Sequence, residues 1–60
     1  MLSWEVICIA IEDMLYEINE FINEYDGTII GSDIKNKLDN SDLSNYDQVE
    51  AVYLKMMDAV

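Results

Sequence analysis

The chain has 60 residues, 52% of them hydrophobic, and thirteen acidic side chains against three lysines, with no arginine and no histidine, for a formal net charge of −10. This length allows one domain at most, burying about 60% of its unfolded surface, so a self-sufficient core is marginal. One cysteine excludes an internal disulfide, and one cysteine without histidine excludes a His/Cys zinc site. Of the devices that stabilise small scaffolds, oligomerisation is the one left.

The sign of the charge narrows the partners. Phosphate contacts need lysine and arginine, so direct binding to nucleic acid or to an anionic membrane works against this chain. A basic protein is the favoured partner, with association that is steered and salt-dependent. The hydrophobic content and its sustained period argue for a folded chain despite the acidity.

In chain order, the first element is predicted as one long amphipathic helix from Trp4 to Tyr25. Its seam is Trp4, Ile7, Ile11, Met14, Ile18, Phe21 and Tyr25, in alternating steps of 3 and 4. That is the spacing of a helix packed against other helices. Val6 to Ile11 is rich in β-branched residues, so a buried strand competes there. The unbroken seam favours helix. Ser3 is the predicted N-cap, and Gly27 is placed to end the helix in the left-handed conformation.

Thr28, Ile29 and Ile30 read as a short apolar link and Gly31 as a turn. Ser32 then caps a second helix from Asp33 to about Leu38, with Ile34 and Leu38 as its apolar edge. Asp39 to Asp42 is loop chemistry, with Leu43 as an anchor beneath it. A third helix starts after Ser44 or Asn45 and carries a stripe of Tyr46, Val49, Tyr53, Met56 and Val60, widened by Val52 and Met57. The expected fold is therefore all-α, a single domain of three helices: long, short and medium.

At about 100° per residue, the outward side of the first helix changes character along its length. Leu2, Val6 and Ile9 make it apolar at the N-terminal half, while the core side is widened by Cys8, Leu15 and Ile22. Two short helices leave the apolar back uncovered, which predicts a two-fold dimer through Leu2, Val6 and Ile9. Beyond residue 12 the outward side becomes the acidic row Asp13, Glu17, Glu20 and Glu24. Like charges at this spacing stand about 5–6 Å apart and repel. Asp26, Asp33, Asp39 and Asp42 are candidates to extend the row across the turn, and Tyr16 on its border is a candidate contact, since tyrosine is enriched at interfaces.

Catalytic chemistry finds little support. No histidine is available as a base, and Cys8 lies beside the apolar seam, where cysteine usually acts as a small hydrophobe. Residues 39–50 have an EF-hand loop's length, with Asp39 first and Glu50 twelfth. Leu43 and Ser44, however, stand where that loop needs an oxygen ligand and a glycine. No enzyme activity, metal or cofactor is expected.

In size, charge and helicity the chain resembles the small acidic inhibitors that phages make against host nucleases and defence complexes, anti-CRISPR and anti-restriction proteins among them. No motif carries that resemblance, so no functional residue comes with it. It implies an inhibitor that imitates DNA and occupies the nucleic-acid-binding surface of a basic target. The alternative is an adaptor or assembly subunit that docks through its apolar N-terminal half, with the acidity serving solubility. Residues 1–11 carry no lysine or arginine, and Glu5, Glu12 and Asp13 interrupt any apolar run well short of about 20 residues. A cytoplasmic protein is expected, in the host's cytoplasm if phage-encoded.

Overall fold

The seam of the first helix outweighs the strand propensity at its start. The structure, a computed structural model, describes residues 4–59, and α1 runs unbroken over Trp4–Glu24. A β-branched residue in a helix costs at most about 0.7 kcal/mol. Burying a large apolar side chain such as Ile11, Ile18 or Phe21 contributes about 1.5–3 kcal/mol. Packing therefore decides, and Val6–Ile11 is helical. The chain leaves the helix through Gly27, whose φ of +83° lies in the left-handed region. Ring stacking of Phe21 on Tyr25, centroids 4.5 Å apart, closes the last turn.

The second helix is longer than the sequence predicts and begins earlier. α2 spans Ile29–Asp39, and its N-cap is Thr28, not Ser32. The Thr28 hydroxyl accepts from the Gly31 N–H at 3.0 Å and donates to the Tyr25 carbonyl at 2.6 Å. Threonine caps a helix nearly as well as serine, and here it alone also ties the helix back to the end of α1. Ile29 and Ile30 thus belong to the first turn of α2. Gly31 is not a turn residue but a buried helical one. A Cβ there would collide with the carbonyl oxygen of Tyr25, so the glycine allows α2 to start against the end of α1.

α3 spans Tyr46–Ala59. Of the two candidate caps, Asn45 takes the position: its side-chain oxygen accepts from the N–H groups of Asp47 at 3.0 Å and Gln48 at 3.3 Å. The preceding loop is held by its own polar groups. Asp42 accepts from the Ser44 hydroxyl and N–H, and the Asp42 N–H donates to the Gln48 side chain at 2.7 Å.

Each helix supplies part of one core. Ile18, Ile34 and Val49 are almost wholly removed from solvent, and Ile11, Phe21, Leu38, Val52 and Met56 pack around them. Tyr46 lies beside Ala10 and Met14, and Met57 beside Glu20 and Glu24, so α1 and α3 run parallel. Lys37 and Ser41 lie by Gln48, and Ile29 by Ala59, so α2 runs antiparallel between them. Tertiary coverage follows from length. At about 1.5 Å per residue, α1 is about 31 Å long and α3 about 21 Å, so the first turns of α1 project beyond the bundle. The molecule is correspondingly elongated, 38 × 18 × 16 Å.

That overhang corrects the seam at its N-terminal end. Trp4 is 70% exposed because neither short helix reaches it, and the buried part of the seam starts at Ile11, with Ile7 half-covered. Leu43 is likewise exposed, not tucked beneath the loop, since the loop's order comes from hydrogen bonds rather than an apolar anchor. Val52 joins the core as predicted, while Met57 stays 53% exposed on the flank of α3. Ser3 and Val60 lie outside the described residues, as does Leu2.

Candidate protein-binding site

The acidic row of α1 is one wall of a trough between α1 and α3. Asp13 and Glu17 flank its upper part, a cavity of about 450 Å³, and Glu17, Glu20 and Glu24 flank its lower part, of about 310 Å³. All four carboxylates are exposed. Glu17 and Tyr53 belong to both parts, so the trough is continuous over residues 10–24 of α1, a length of about 21 Å. Phe21 and Met56 form its floor in the lower part.

The opposite wall comes from α3, where Tyr46, Glu50, Tyr53 and Met57 fall on one flank by the steps 4, 3 and 4. The acidic row has the same steps. Because the two helices run parallel, the two rows run the same way along the trough, Tyr46 by Asp13 and Glu17 and Met57 by Glu20 and Glu24. Tyr53 spans the gap: its hydroxyl donates to the Glu17 carboxylate, and that bond, followed by the carboxylate's charge, raises the phenol's pKa above its ordinary 10.0. Tyr46 is raised in the same way by the hydrogen bond and charge of Glu50. Both tyrosines are thus held by carboxylates at their polar ends and line the trough.

The remaining acidic residues separate. Asp26 is exposed in the turn after α1. Asp33 lies in the other groove, between α2 and α3, and pairs with Lys37 at 3.0 Å. Asp39 ends α2. Asp42 is committed to its loop, where the Ser44 hydroxyl, then the Ser44 N–H, lower its pKa. Asp33 and Asp42 therefore do not continue the row of α1. Tyr16 is exposed at the upper rim beside Asp13 and Glu17.

Cations are placed away from the trough. α1 carries Glu5, Glu12, Asp13, Glu17, Glu20 and Glu24 and no lysine. Lys37 and Lys55 lie together in the α2–α3 groove, with the amides of Asn36, Asn40 and Gln48. The wall on α3 is the part that sequence reasoning misses, because Tyr46, Tyr53 and Met57 read as core stripe. Its signal is the spacing shared with the acidic row, which becomes meaningful once the helices are known to be parallel.

Val6 and Ile9, the described members of the apolar back, are exposed on the overhang with Trp4, Ile9 at 58%. Cys8 is a free, half-buried thiol there. Among the described residues, no group of three or more acidic or cysteine side chains is arranged to hold a metal ion. No helix among them is long and apolar enough to cross a membrane. No protein-family model, curated protein or solved structure matches the chain.

Proposed function

We propose that this protein binds a basic protein through the acidic wall of α1, and in doing so covers the surface that the partner uses for nucleic acid. The observation that supports this reading is where the carboxylates stand. Each like-charged neighbour pair in the row costs the helix about 0.2–0.5 kcal/mol. Glu24 adds to this by sitting in the last turn of α1, at the negative end of the helix dipole, with no basic residue in that turn. Acidity needed for solubility alone can be spread over any exposed surface. Here four of the thirteen carboxylates stand in one row on a helix without lysine, and Lys37 and Lys55 lie in the groove on the other side of α3.

Along α1 the row places a carboxylate about every 5–6 Å, somewhat sparser than the phosphates of one DNA strand, at about 3.4 Å of axis each. A line of this density serves as a rigid, pre-positioned imitation of a strand. The protein then acts as a steric inhibitor, of the kind phages direct against host nucleases and defence complexes, and would work in the host cytoplasm. The test is capture of partners by the immobilised chain at low and high salt, with duplex DNA as competitor. A specific partner should be released by salt and by DNA, and lost when Glu17, Glu20 and Glu24 are replaced by lysine. Capture that is indifferent to all three would sink the reading.

The overhang favours a second reading. Trp4 and Ile9 expose a large apolar surface on a helix end that the bundle does not reach. A second copy covering Val6 and Ile9, with Leu2 from outside the described residues, makes a two-fold homodimer. In the adaptor version another protein docks there instead. Val6→Asp combined with Ile9→Asp tests the dimer, because a sedimentation mass equal to that of the unaltered chain would remove it.

A further inference from the structure

We infer that the trough between α1 and α3 receives a single basic amphipathic helix of the partner, about 14 residues long, matching the 21 Å or so of trough at about 1.5 Å per residue. The inference rests on the partner being basic, and goes beyond it by naming the element that is bound. Three features select a helix over an extended peptide or a flat surface. The first is that the described residues form three packed helices with no strand edge among them to extend, which leaves side-chain packing as the mode of docking. Next, both walls repeat by 4, 3 and 4, the ridge spacing into which the ridges of another helix fit. Lastly, Phe21, Met56 and the exposed Met57 line the lower part with the carboxylates, so the bound element needs an apolar edge as well as a charged one.

The charge of the walls fixes the rest of the chemistry. Asp13, Glu17, Glu20 and Glu24 face no lysine among the residues lining the trough. A second copy of this chain, at −10, is therefore the wrong occupant. Arginine or lysine at positions three and four apart on the incoming helix would meet the carboxylates in turn, and the Tyr46 and Tyr53 rings that line the trough offer cation–π attraction. Met57, flexible and polarisable, adapts to whatever apolar side chain lies over it. A basic helix is also the element that many DNA-binding proteins insert into the major groove. Seating that helix in the trough removes it from nucleic acid.

The experiment uses the 60-residue chain and three synthetic peptides of equal length and charge, built from arginine, leucine and alanine. One places arginine and leucine on adjacent faces of a helix, one shuffles the order, and one keeps the order with a proline exchanged into its centre. At physiological salt the amphipathic peptide should bind at least about tenfold more tightly than the other two. It should become helical, and it should shift the methyl signals of Met56 and Met57 in a magnetic-resonance titration. Met57→Gln, an uncharged change at a position 53% exposed, should weaken the amphipathic peptide more than the shuffled one. Equal binding of all three peptides would overturn the helix inference while leaving electrostatic capture standing. Shifts confined to Trp4 and Ile9 would overturn it in favour of the overhang. Absence of binding by any peptide, even at low salt, would overturn both the inference and the acidic reading beneath it.

Discussion

The groove between α1 and α3 has carboxylates on one wall and Tyr46, Tyr53 and Met57 on the other, whereas the groove between α2 and α3 gathers Lys37, Lys55 and side-chain amides. The two are separated only by the width of α3 and share its buried residues Val49, Val52 and Met56. Their difference is written in the flanks of that helix. Tyr46, Tyr53 and Met57 project to one side, Gln48, Ala51 and Lys55 to the other. The second groove neutralises part of its own charge through the Asp33–Lys37 pair, an exposed i,i+4 bridge worth about 0.3–0.5 kcal/mol. Within the first groove no such relief exists. One side of the molecule is therefore partly neutralised within the chain, and on the proposed reading the other is complemented by a basic partner.

The comparison presumes that both grooves are surfaces of one core, and the largest effect tests that. Ile18 is fully buried where the three helices meet. Ile18→Ala should cost about 2–5 kcal/mol. A 60-residue domain holds about 3–9 kcal/mol in all, so the variant should be largely unfolded on mild heating. Circular dichroism should show helix lost in one transition. Two separate transitions, one for α1 with α3 and one for α2, would mean that the grooves belong to independent units.

Reversing the walls comes next in size. Glu17→Lys with Glu20→Lys and Glu24→Lys should weaken binding of a basic helical peptide by at least about a hundredfold, or roughly 3 kcal/mol. Lys37→Glu with Lys55→Glu should leave it unchanged or slightly strengthened, since only the distant field is altered. Isothermal calorimetry on both triple and double variants measures this. A gain from the lysine changes in proportion to the loss from the glutamate changes would show that net charge alone governs binding and that the grooves are not distinct.

Gly31→Ala sharpens the comparison from the side of α2. In an ordinary helix interior this exchange stabilises by about 1 kcal/mol. Here the new Cβ meets the Tyr25 carbonyl, which is backbone and cannot swing away. The expected sign is reversed, a loss of about 1–3 kcal/mol from overpacking. Denaturant midpoints give the stability, and peptide affinity at temperatures where the variant is folded should stay close to that of the parent. A stabilised variant would mean that α2 sits further from α1 than the capping by Thr28 indicates.

These elements also mark how far the sequence is readable. The buried half of the α1 seam, Ile11 to Phe21, is legible because a 3.6-residue period leaves few alternatives, and Asn45 and Gly27 are legible because caps and left-handed turns have narrow chemistry. Trp4 obeys the same period and is nonetheless exposed, since periodicity says which side a residue faces and not whether another helix extends that far. Thr28 and Gly31 mislead for a related reason. Gly31 has an ordinary helical backbone, and its need for a bare Cα arises from a residue six positions earlier. The acidic row is visible in one dimension, but its facing wall exists only through the parallel register of α1 and α3. Asp33 shows the converse: adjacent in the list of acidic residues, it ends up in the other groove beside Lys37.

The smallest effect concerns Tyr53, the residue that joins the two walls. Its hydroxyl donates to Glu17, and its pKa is raised in the folded state. A raised pKa means that this bond's contribution is fully present below the unfolded value of 10.0 and is lost as the pH climbs through the higher folded value. Stability near neutrality should therefore be insensitive to this group, and a decline should appear only in the alkaline range. Tyr53→Phe keeps the ring in the trough and removes the donor, so its effect on stability at neutral pH should be the smallest of these changes. The informative readout is the ultraviolet titration of the tyrosines. The variant should lose one late-ionising phenol and leave that of Tyr46, which Glu50 holds up independently. If the late component survives the substitution intact, Tyr53 does not reach Glu17, and the two walls are not tied across the trough.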